Sequence, residues 1–565
     1  MDARHNIASA LVRHAAERPE AIAMHVPLGH APGSALPDYA ALTYAELDAA
    51  SDHTAAALAR AGLGRGMKTA VMVRPGRELF VVMYALFKLG AVPVLIDPGI
   101  GRRALRQCLD EAAPEAFIGI PLAQVARVLL GWARRSVRIV VTIGRRWGWG
   151  GTTLAALRAA TPAGPFAVAA TTPDDLAAIL FTSGSTGVPK GVEYRHRHFA
   201  AQVELLRAAF ALEPGTLNMP TFPPFALFDP ALGLTSVIPD MDPTRPAAAD
   251  PQKLVATLAR FGVGTLFGSP ALLDTLSRHC AKHGIVLHGV TRVISAGAPV
   301  APAILARMRA CLDDGVPLFT PYGATECLPV SVIESHGLLA LRERTEAGAG
   351  TCIGRPLAAN TVRVIRIDDA AIGEWSDDLP VPTGTVGEIT VAGPTATEAY
   401  HARPGATAFA KIRERLSDGT TRIVHRMGDL GWFDEAGRLW FCGRKSQRVR
   451  SPHGTLYTEQ VEPVFNAVAG VRRTALVGVG APGSETPVLC VELEAGRGPD
   501  VAERVEAEIL ARAAHHAHTR ALRHVLFHPG FPVDIRHNAK IGRETLARWA
   551  AGRLERVAAN SPGGA

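Results

Sequence analysis

A loop rich in glycine and hydroxyl side chains occupies residues 181–192, with the sequence FTSGSTGVPKGV. Glycines let the backbone turn its N–H groups toward an anion, the hydroxyls donate further hydrogen bonds, and Lys190 adds a positive charge. This composition predicts a polyphosphate-binding loop formed by Thr182, Ser183, Gly184, Ser185, Thr186, Gly187 and Lys190. Its spacing differs from the GxxxxGK[ST] pattern of a Walker A loop. We therefore expect another class of ATP chemistry.

A second group of residues could recognise the rest of a nucleotide. Tyr322, Gly323, Thr325 and Glu326 stand together in the segment YGATE. An aromatic ring can stack on a purine, a hydroxyl can bind phosphate oxygens, and a carboxylate suits Mg²⁺, which prefers oxygen ligands. Taken alone, such a segment is more often a loop with a surface glutamate. Beside a polyphosphate loop it predicts that Glu326 ligates Mg²⁺.

Three further polar residues follow in the last third of the chain. Asp429, after a glycine, could accept hydrogen bonds from two ribose hydroxyls, and Arg444 could contact the same sugar or a phosphate. Lys540 stands in a turn bounded by a glycine. Each of these has an ordinary structural explanation as a turn or a solvated side chain, so their meaning depends on the order of the whole set.

The helices and strands that must position these residues are predicted to form an α/β fold. Apolar runs alternate with helical stretches, which predicts layers with mostly parallel strands. From about residue 359, short strands and turns predict a small β-rich subdomain. We place a domain boundary near Ser446, giving a large N-terminal domain (1–445) and a small, mobile α/β lid domain (446–565). The predicted strands are 71–73, 92–96, 117–120, 137–143, 176–181, 362–367, 387–391 and 437–441, and the predicted helices are 55–61, 79–89, 102–112 and 195–211.

The composition narrows the class of protein. The chain has 565 residues, 48% of them hydrophobic, and a formal net charge of +8 that is spread along its length. This pattern does not predict nucleic-acid binding. The seven cysteines lack CxxC spacing, which favours reduced, buried thiols in a cytoplasmic protein over disulfides or a zinc site. No uncharged run reaches the roughly 18 residues of a membrane-spanning helix.

The order of the motifs resembles the adenylate-forming superfamily, which includes acyl-CoA synthetases, peptide-synthetase adenylation domains and luciferases. The similarity covers nearly the whole chain. The motifs that carry it are LTYAEL at 42–47, KLGAVP at 88–93, the loop at 182–190, GAP at 297–299, YGATE at 322–326, GRP at 354–356, GEI at 387–389, GD at 428–429, GR at 443–444 and Lys540.

The resemblance implies a role for each candidate residue. The loop would hold the β- and γ-phosphates, and Asp429 with Arg444 would bind the ribose. The adenine slot would be formed by Gly297, Ala298, Pro299, Tyr322 and Gly323. Thr325 would touch the α-phosphate, Glu326 would hold Mg²⁺, and Lys540 would reach the substrate carboxylate and the α-phosphate. Because a carboxylate repels ATP, Lys540 and Mg²⁺ would offset that repulsion while an acyl-adenylate and pyrophosphate form.

Distinctive segments indicate which member of the superfamily the chain resembles. The segments 221–233, 238–243 and 531–541 are similar to the β-lactone synthetases of bacterial long-chain olefin biosynthesis. Ser446 replaces the acidic residue that usually follows the hinge Gly-Arg, so CoA is not expected as a substrate. The predicted substrate-pocket residues are Phe225, Phe228, Asp229 and Gly233.

This resemblance implies an internal ring closure. A 2-alkyl-3-hydroxy long-chain fatty acid would be adenylated, and its own β-hydroxyl would expel AMP to give a β-lactone. Asp229 and His537 are candidate bases, although a structural role in the loop or a backbone hydrogen bond explains each more simply. In the family, a β-lactone decarboxylase and an NADPH-dependent reductase act on the neighbouring intermediates and are candidate partners for assembly.

Two other functions fit part of the pattern. The first is a long-chain acyl-CoA ligase or acyl-AMP ligase, which would require CoA or a carrier protein as acceptor. The second is a non-catalytic nucleotide-binding subunit of an assembly. The intact set of Lys190, Glu326, Asp429 and Lys540 argues against the second.

Overall fold

The computed structural model describes residues 5–29, 36–182, 189–494, 496, 499–533 and 541–560. Its strands are β1 (Ile22–Gly29), β2 (Asp38–Thr43), β3 (Lys68–Met72), β4 (Val92–Ile96), β5 (Ala116–Gly119), β6 (Ile139–Thr142), β7 (Thr152–Thr153), β8 (Leu176–Thr182), β9 (Lys190–Arg195), β10 (Leu217–Pro220), β11 (Thr235–Val237), β12 (Thr265–Gly268), β13 (Arg292–Ser295), β14 (Leu318–Ala324), β15 (Cys327–Glu334), β16 (Thr351–Cys352), β17 (Arg355–Pro356), β18 (Thr361–Ile365), β19 (Gly387–Ala392), β20 (Lys411–Arg415), β21 (Thr421–Phe433), β22 (Leu439–Arg444), β23 (Val449–Ser451), β24 (Gly454–Leu456), β25 (Val471–Val479), β26 (Thr486–Leu493) and β27 (His524–Phe527).

The helices pack on these strands. They are α1 (Ala8–Glu17), α2 (Tyr44–Arg60), α3 (Arg77–Leu89), α4 (Arg102–Ala112), α5 (Pro121–Leu130), α6 (Leu154–Ala159), α7 (His196–Phe210), α8 (Pro223–Ala226), α9 (Asp229–Leu232), α10 (Pro251–Phe261), α11 (Pro270–His283), α12 (Pro302–Arg309), α13 (Ser335–Ala340), α14 (Arg342–Arg344), α15 (Pro404–Ala410), α16 (Thr458–Asn466), α17 (Pro499–His515) and α18 (Arg543–Asn560).

Two large sheets form the body of the N-terminal part. A nine-stranded sheet has the order β17-β15-β14-β13-β12-β10-β11-β1-β2, and a seven-stranded sheet has the order β7-β6-β5-β3-β4-β8-β9. The central strands of both are parallel, while β15, β17, β2 and β9 pair antiparallel at the edges. Interleaved helices and parallel strands confirm the predicted α/β class.

Helices α2 and α3 belong to the core that the two sheets share. Every residue of α3 from Leu79 to Leu89 is buried, as expected for a helix that is apolar on all sides. Its one charged residue in that stretch, Lys88, is fully buried. The ammonium pairs with Asp48 at 2.6 Å and Asp52 at 2.5 Å on α2. A buried charge is tolerated only with such partners, so this pairing fixes α3 against α2.

A smaller, mostly antiparallel sheet follows in the order β16-β22-β21-β19-β18, with β20 paired to β21. It is the β-rich subdomain that the change of pattern near residue 359 predicts. Its strands β21 and β22 are aligned so that Asp429 lies opposite Arg444. This hairpin therefore brings together the two residues that the resemblance assigns to the ribose.

The C-terminal part has apolar clusters of its own. One joins α16 and α17 to β25 and β26, and another joins α18 to the same strands. Across the contact with the rest of the chain, the Thr351 hydroxyl donates to Glu459 at 3.0 Å. Burial and the neighbouring Glu462 raise the pKa of Glu459 to about 7. The predicted boundary near Ser446 remains a prediction.

Two further sequence predictions concern buried thiols and membrane-spanning helices. All seven cysteines are buried free thiols. Within the described ranges, no helix is long and apolar enough to cross a membrane. Over the same residues, no group of three or more His, Cys, Asp or Glu side chains is arranged to hold a metal ion.

Candidate active site

The turn between β14 and β15 carries Thr325 and Glu326. Gly323 makes this turn possible, since a Cβ there would lie 2.7 Å from Leu328 and 2.9 Å from the Cys327 carbonyl. Tyr400 donates a hydrogen bond of 2.6 Å from its phenol to Oε1 of Glu326. Burial, with the Glu326 charge as the next cause, raises the pKa of Tyr400. The phenol therefore stays protonated and keeps donating to the carboxylate.

Thr397 and Lys411 support the same turn from behind. The Thr397 N–H and hydroxyl donate to the Glu326 carbonyl at 2.8 and 3.1 Å. The buried Lys411 ammonium in turn donates to the Thr397 carbonyl. Burial lowers the pKa of Lys411 to about 8, and the nearby Glu326 opposes that shift. Hydrogen bonds from Thr397 thus fix the backbone of Glu326, and the hydrogen bond from Tyr400 fixes its carboxylate.

Lys190 reaches the same place from the seven-stranded sheet. Strands β8 and β9 pair with Thr182 opposite Lys190, so the predicted phosphate loop is the connection of a hairpin. The Lys190 ammonium lies 4.9 Å from the centre of the Tyr400 ring. One tyrosine therefore contacts both the predicted phosphate lysine and the predicted metal ligand.

Part of the predicted phosphate loop lies outside the described residues. For Thr182 only the backbone is described, and Ser183, Gly184, Ser185, Thr186 and Gly187 fall in the gap at 183–188. Gly191, just after the loop, has a steric reason to be glycine, since a Cβ would lie 2.8 Å from the Phe181 ring. The roles of the loop residues remain predictions.

Asp429, Tyr322 and Arg444 form a buried polar cluster. The Tyr322 phenol donates to Oδ2 of Asp429 at 2.6 Å, and the Arg444 guanidinium lies 3.1 Å from Oδ1. Burial raises the pKa of Asp429, while Arg444 and Tyr322 act in the opposite direction. Although Oδ1 is buried, it accepts no hydrogen bond from the part of the chain that the structure describes. Apart from the ion pair with Arg444, this oxygen keeps the capacity to accept a hydrogen bond from a ligand hydroxyl.

The segment Gly297, Ala298 and Pro299 follows β13 directly. Because β13 and β14 are parallel neighbours, their ends lie at the same edge of the nine-stranded sheet, where Tyr322 also stands. Gly297 has φ of 102°, a conformation that favours glycine. The structure thus brings this predicted adenine segment to the edge that carries the nucleotide candidates.

The predicted substrate-pocket residues lie on the short helices α8 and α9 or directly next to α9. The ring of Phe225 packs on Phe267 with centroids 4.5 Å apart. Phe228 packs on Phe199 at 5.8 Å, and Phe199 stacks on Tyr194 at 4.9 Å. The Tyr194 hydroxyl donates to the Thr325 carbonyl. A row of aromatic side chains therefore links the predicted acyl segment to the turn with Thr325.

Asp229 and Gly233 occupy more constrained positions in the same segment. Asp229 is fully buried and accepts hydrogen bonds from Asn218 at 2.9 and 3.0 Å and from Ser236 at 2.5 Å. Burial raises the pKa of Asp229 to about 7, against the effect of these hydrogen bonds. Gly233 ends α9 with φ of 81°, and a Cβ there would lie 2.8 Å from the Arg18 side chain. Both residues stabilise the shape of this segment.

The predicted lysine Lys540 and the candidate base His537 lie outside the described residues, in the gap at 534–540. Both ends of that gap are held in place. Val533 pairs with Ile541, and the Gly542 N–H donates to the Pro532 carbonyl at 2.7 Å. Arg543 then donates to both oxygens of the buried Glu462 at 2.7 Å.

The predicted hinge has two anchors on the β-rich subdomain. The Lys445 ammonium donates to Glu388 at 3.0 Å, and Arg448 pairs with Asp369 at 2.5 Å. Ser446 lies between these contacts and is exposed. These two contacts hold the residues on either side of Ser446 to the β-rich subdomain.

The sequence analysis missed Tyr194, Thr397, Tyr400 and Lys411. For Tyr194, Tyr400 and Lys411 the signal that could have drawn attention to them is rarity, because the chain has only seven tyrosines and eight lysines among 565 residues, whereas nothing in the sequence marks Thr397. Neither type is needed merely for charge or bulk in a chain so rich in arginine. No spacing pattern, however, ties them to the YGATE segment, because the contacts join strands from different sheets.

The comparisons with known proteins agree with this geometry. Residues 11–401 match the family described as "AMP-binding enzyme". The chain is 62% identical over 555 residues to the olefin beta-lactone synthetase of Stenotrophomonas maltophilia, covering 98% of this chain and 99% of the relative. It is 60% identical over 546 residues to the protein of the same name from Xanthomonas campestris pv. campestris, covering 97% of both chains.

Solved structures of similar fold cover nearly the whole chain. The amide bond synthetase McbA from Marinactinospora thermotolerans matches with a TM-score of 0.77 and 25% identity, over 96% of this chain and 99% of that one. The anthranilate CoA ligase AuaEII, in complex with anthranoyl-AMP, matches with a TM-score of 0.77 and 17% identity, over 98% and 99%. The second of these shows a common fold only.

Proposed function

The chain belongs to the AMP-binding enzyme family, and we propose that it is an ATP-dependent β-lactone synthetase of olefin biosynthesis. Its substrate is a 2-alkyl-3-hydroxy long-chain fatty acid, and its products are the β-lactone, AMP and pyrophosphate. The observation that carries this assignment is the 62% identity, over 98% of the chain, to a relative named for that activity. The cluster around Glu326 and Asp429 supplies the physical support.

In the first step, a carboxylate oxygen of the acid attacks the α-phosphorus of ATP and pyrophosphate leaves. We propose that Lys190 and the loop from Thr182 hold the leaving phosphates, while Asp429 binds the ribose through its open Oδ1. Glu326 and phosphate oxygens would hold Mg²⁺, which supplies charge neutralisation at phosphorus when bound. Thr325 and Lys540 are proposed to contact the α-phosphate, with Lys540 also on the substrate carboxylate.

In the second step, the β-hydroxyl oxygen attacks the acyl carbon, AMP leaves, and the hydroxyl proton passes to a base or to solvent. Attack by a group already on the substrate makes the step unimolecular, which favours it over attack by an external thiol. The row of aromatic rings from Phe228 to Tyr194 would line the way for the alkyl chain. Asp229 accepts hydrogen bonds from Asn218 and Ser236, which supports a positioning role over that of base.

The remaining features of the proposal concern organisation. Residues 446–565 would act as a lid that brings Lys540 to the nucleotide by turning at Ser446. The enzyme would work in the bacterial cytoplasm without CoA. A β-lactone decarboxylase and an NADPH-dependent reductase would act on the neighbouring intermediates and assemble with it.

Incubation of the protein with ATP, Mg²⁺ and a defined 2-alkyl-3-hydroxy acid, without CoA, tests the assignment. Mass analysis should find the β-lactone, formed in a one-to-one ratio with AMP. A matched acid that lacks the 3-hydroxyl should give acyl-adenylate at most and no lactone. Product formation that requires CoA or a carrier protein would instead identify an acyl-transferring ligase.

A further inference from the structure

Helix α5 lies on the outer side of the seven-stranded sheet, beside α4. Its inward side chains join Leu105 and Leu109 of α4 and Phe117 of β5 in one apolar cluster, with Ala123, Ala126 and Leu130 packed against it. Gln124 is buried and donates to the Val141 carbonyl at 3.1 Å. The side chains on the side of α5 that faces the sheet are thus packed or hydrogen-bonded within the protein.

The opposite side of α5 is also apolar. Leu122 is 69% exposed, Val128 is 53% exposed and Leu129 is 77% exposed. Leu122, Val125 and Leu129 follow a spacing of three and four residues, which puts them on one face of a helix. Exposed large apolar side chains are ordinary when single, but a stripe on a helix facing solvent indicates a surface that another phase or molecule covers.

A tryptophan loop continues this surface. Trp147 is 60% exposed, and its ring lies 5.5 Å from that of Trp149. The loop lies against α5, because a Cβ on Gly144 would be 3.7 Å from the Pro121 ring. The exposed side chains of α5 and of the tryptophan loop, namely Leu122, Val128, Leu129 and Trp147, therefore form one surface, which we call the α5 surface.

The charge on the α5 surface has a single sign. Residues 121–151 include six arginines and no aspartate, glutamate or lysine. Arg134 and Arg135 are exposed after the end of α5, and Arg145 and Arg146 are exposed in the tryptophan loop. Within the described residues these four have no acidic partner. The positive charge of the chain is therefore not evenly spread, as the sequence analysis expected, but is concentrated in this segment.

We propose that the α5 surface binds the surface of an anionic phospholipid bilayer. An apolar stripe with tryptophan beside it, flanked by exposed arginines that have no acidic partner among the described residues, is the composition of segments that lie in the lipid interface. The aliphatic residues enter the boundary of the acyl region, tryptophan sits at the headgroups, and arginine attracts anionic lipid. A protein partner for a surface of this kind would need acidic groups around an apolar centre. Vesicle binding and the oligomeric state of variants distinguish such a partner from a lipid bilayer.

Sedimentation with lipid vesicles tests the proposal on the full-length protein. Vesicles of equimolar phosphatidylglycerol and phosphatidylcholine should bind the protein at low salt, and vesicles of phosphatidylcholine alone should bind it far more weakly. Binding should weaken at about 0.5 M salt, where surface charges are screened. Equal binding to both vesicles, or none to the anionic ones, overturns the proposal.

Two pairs of variants locate the contact. Arg134→Gln with Arg135→Gln should weaken binding to anionic vesicles by roughly tenfold or more. Arg413→Gln with Arg415→Gln removes the same charge from exposed positions on β20 and should have no such effect. Leu122→Gln with Leu129→Gln should also weaken binding, whereas Leu28→Gln, at a site 71% exposed, should not.

A protein-binding face would behave differently in the same experiment. The variants at Leu122 and Leu129 would then change the oligomeric state in analytical ultracentrifugation without changing vesicle binding, and that result overturns the proposal. All of these side chains are exposed, so the variants should keep the thermal midpoint of the wild type. Because binding is measured without turnover, the result does not depend on the proposed reaction.

Discussion

The Tyr400 phenol donates a hydrogen bond of 2.6 Å to Oε1 of Glu326. The same ring lies 4.9 Å from the Lys190 ammonium. Tyr400 pairs through its backbone with Val192 of β9, while Glu326 stands between β14 and β15. The tyrosine therefore joins a hairpin of the seven-stranded sheet to a hairpin of the nine-stranded sheet at the point where we propose that phosphate and metal bind.

We expect Tyr400→Phe to impair adenylation without unfolding the protein. The variant keeps the ring beside Lys190 and removes only the donor to Glu326. A hydrogen bond to a charged group contributes about 1.5–3 kcal/mol, so kcat/KM for adenylation should fall roughly tenfold to a hundredfold. The Mg²⁺ concentration for half-maximal rate should rise, which ATP-pyrophosphate exchange assays measure.

Two further variants test whether Tyr400 acts on the proposed metal ligand or only stabilises the fold. Tyr400→Leu also removes the ring next to Lys190 and should raise the KM for ATP further. Tyr457→Phe deletes a phenol elsewhere in the chain and should leave the Mg²⁺ dependence unchanged. If Tyr400→Phe lowered the thermal midpoint but kept the wild-type Mg²⁺ dependence, Tyr400 would be only a structural link.

The strands and helices of the N-terminal part were largely predictable because their signals are local. The predicted segments 92–96 and 102–112 agree with β4 and α4 at both ends, since a buried strand and an amphipathic helix each have a clear period. Helix α2 begins earlier than predicted, at Tyr44, because Thr43 and Glu46 form a capping box. The Thr-x-x-Glu spacing of residues 43–46 is the sequence signal for this helix start.

The site was predictable only where motifs mark it. Glu326 and Asp429 stand in short recognisable segments, whereas Tyr400 and Lys411 act through contacts between sheets. Asp429 and Arg444 lie opposite each other because β21 and β22 form a hairpin with a short turn that contains Gly437. The contacts of Tyr400 and Tyr194 with the turn at Thr325 and Glu326 instead join residues that are far apart in the sequence, so these supporting residues could not be predicted from spacing.

Tyr322 and Asp429 should behave as a coupled pair in nucleotide binding. Tyr322→Phe removes the hydroxyl that donates a hydrogen bond to Oδ2 of Asp429 and leaves that oxygen buried without a donor. Asp429→Asn removes the negative charge that accepts this hydrogen bond. Each single change should weaken ATP binding by about tenfold. In a double-mutant cycle the Tyr322 change should have little further effect once Asp429 is asparagine. Calorimetric titration with ATP measures all four proteins, and strictly additive losses would show that the two residues act independently.

Lys540→Ala should separate nucleotide binding from chemistry. We propose that Lys540 acts at the reacting phosphate and carboxylate, so its removal should abolish adenylation and leave the Kd for ATP within a few-fold of the wild type. Lys282→Ala, at an exposed lysine of α11, is the matched control and should keep full activity. Pyrophosphate exchange and ATP titration give the two readouts. Turnover at the wild-type rate would remove Lys540 from the mechanism.

Asp229 should make the folded protein less stable as the pH rises. Burial raises the pKa of its carboxyl from 3.8 to about 7, so between these values the folded state holds a proton that the unfolded chain has lost. The stability of the folded state is therefore greatest below about pH 4 with respect to this group, and it declines as the pH rises through 7. Asp229→Asn cannot ionise, so its thermal midpoint, measured relative to that of the wild type, should rise between pH 4 and pH 8.

Asp434 provides a control of opposite sign. Although burial acts against it, hydrogen bonds from Trp440 and Arg438 lower the pKa of Asp434 to about 2. Its stabilising contribution is present above its usual pKa of 3.8 and is lost as the pH falls toward 2. Asp434→Asn should therefore be destabilised most at neutral pH and should approach the wild type in acid. A difference between wild type and Asp229→Asn that stayed constant with pH would show that Asp229 does not bind a proton on folding.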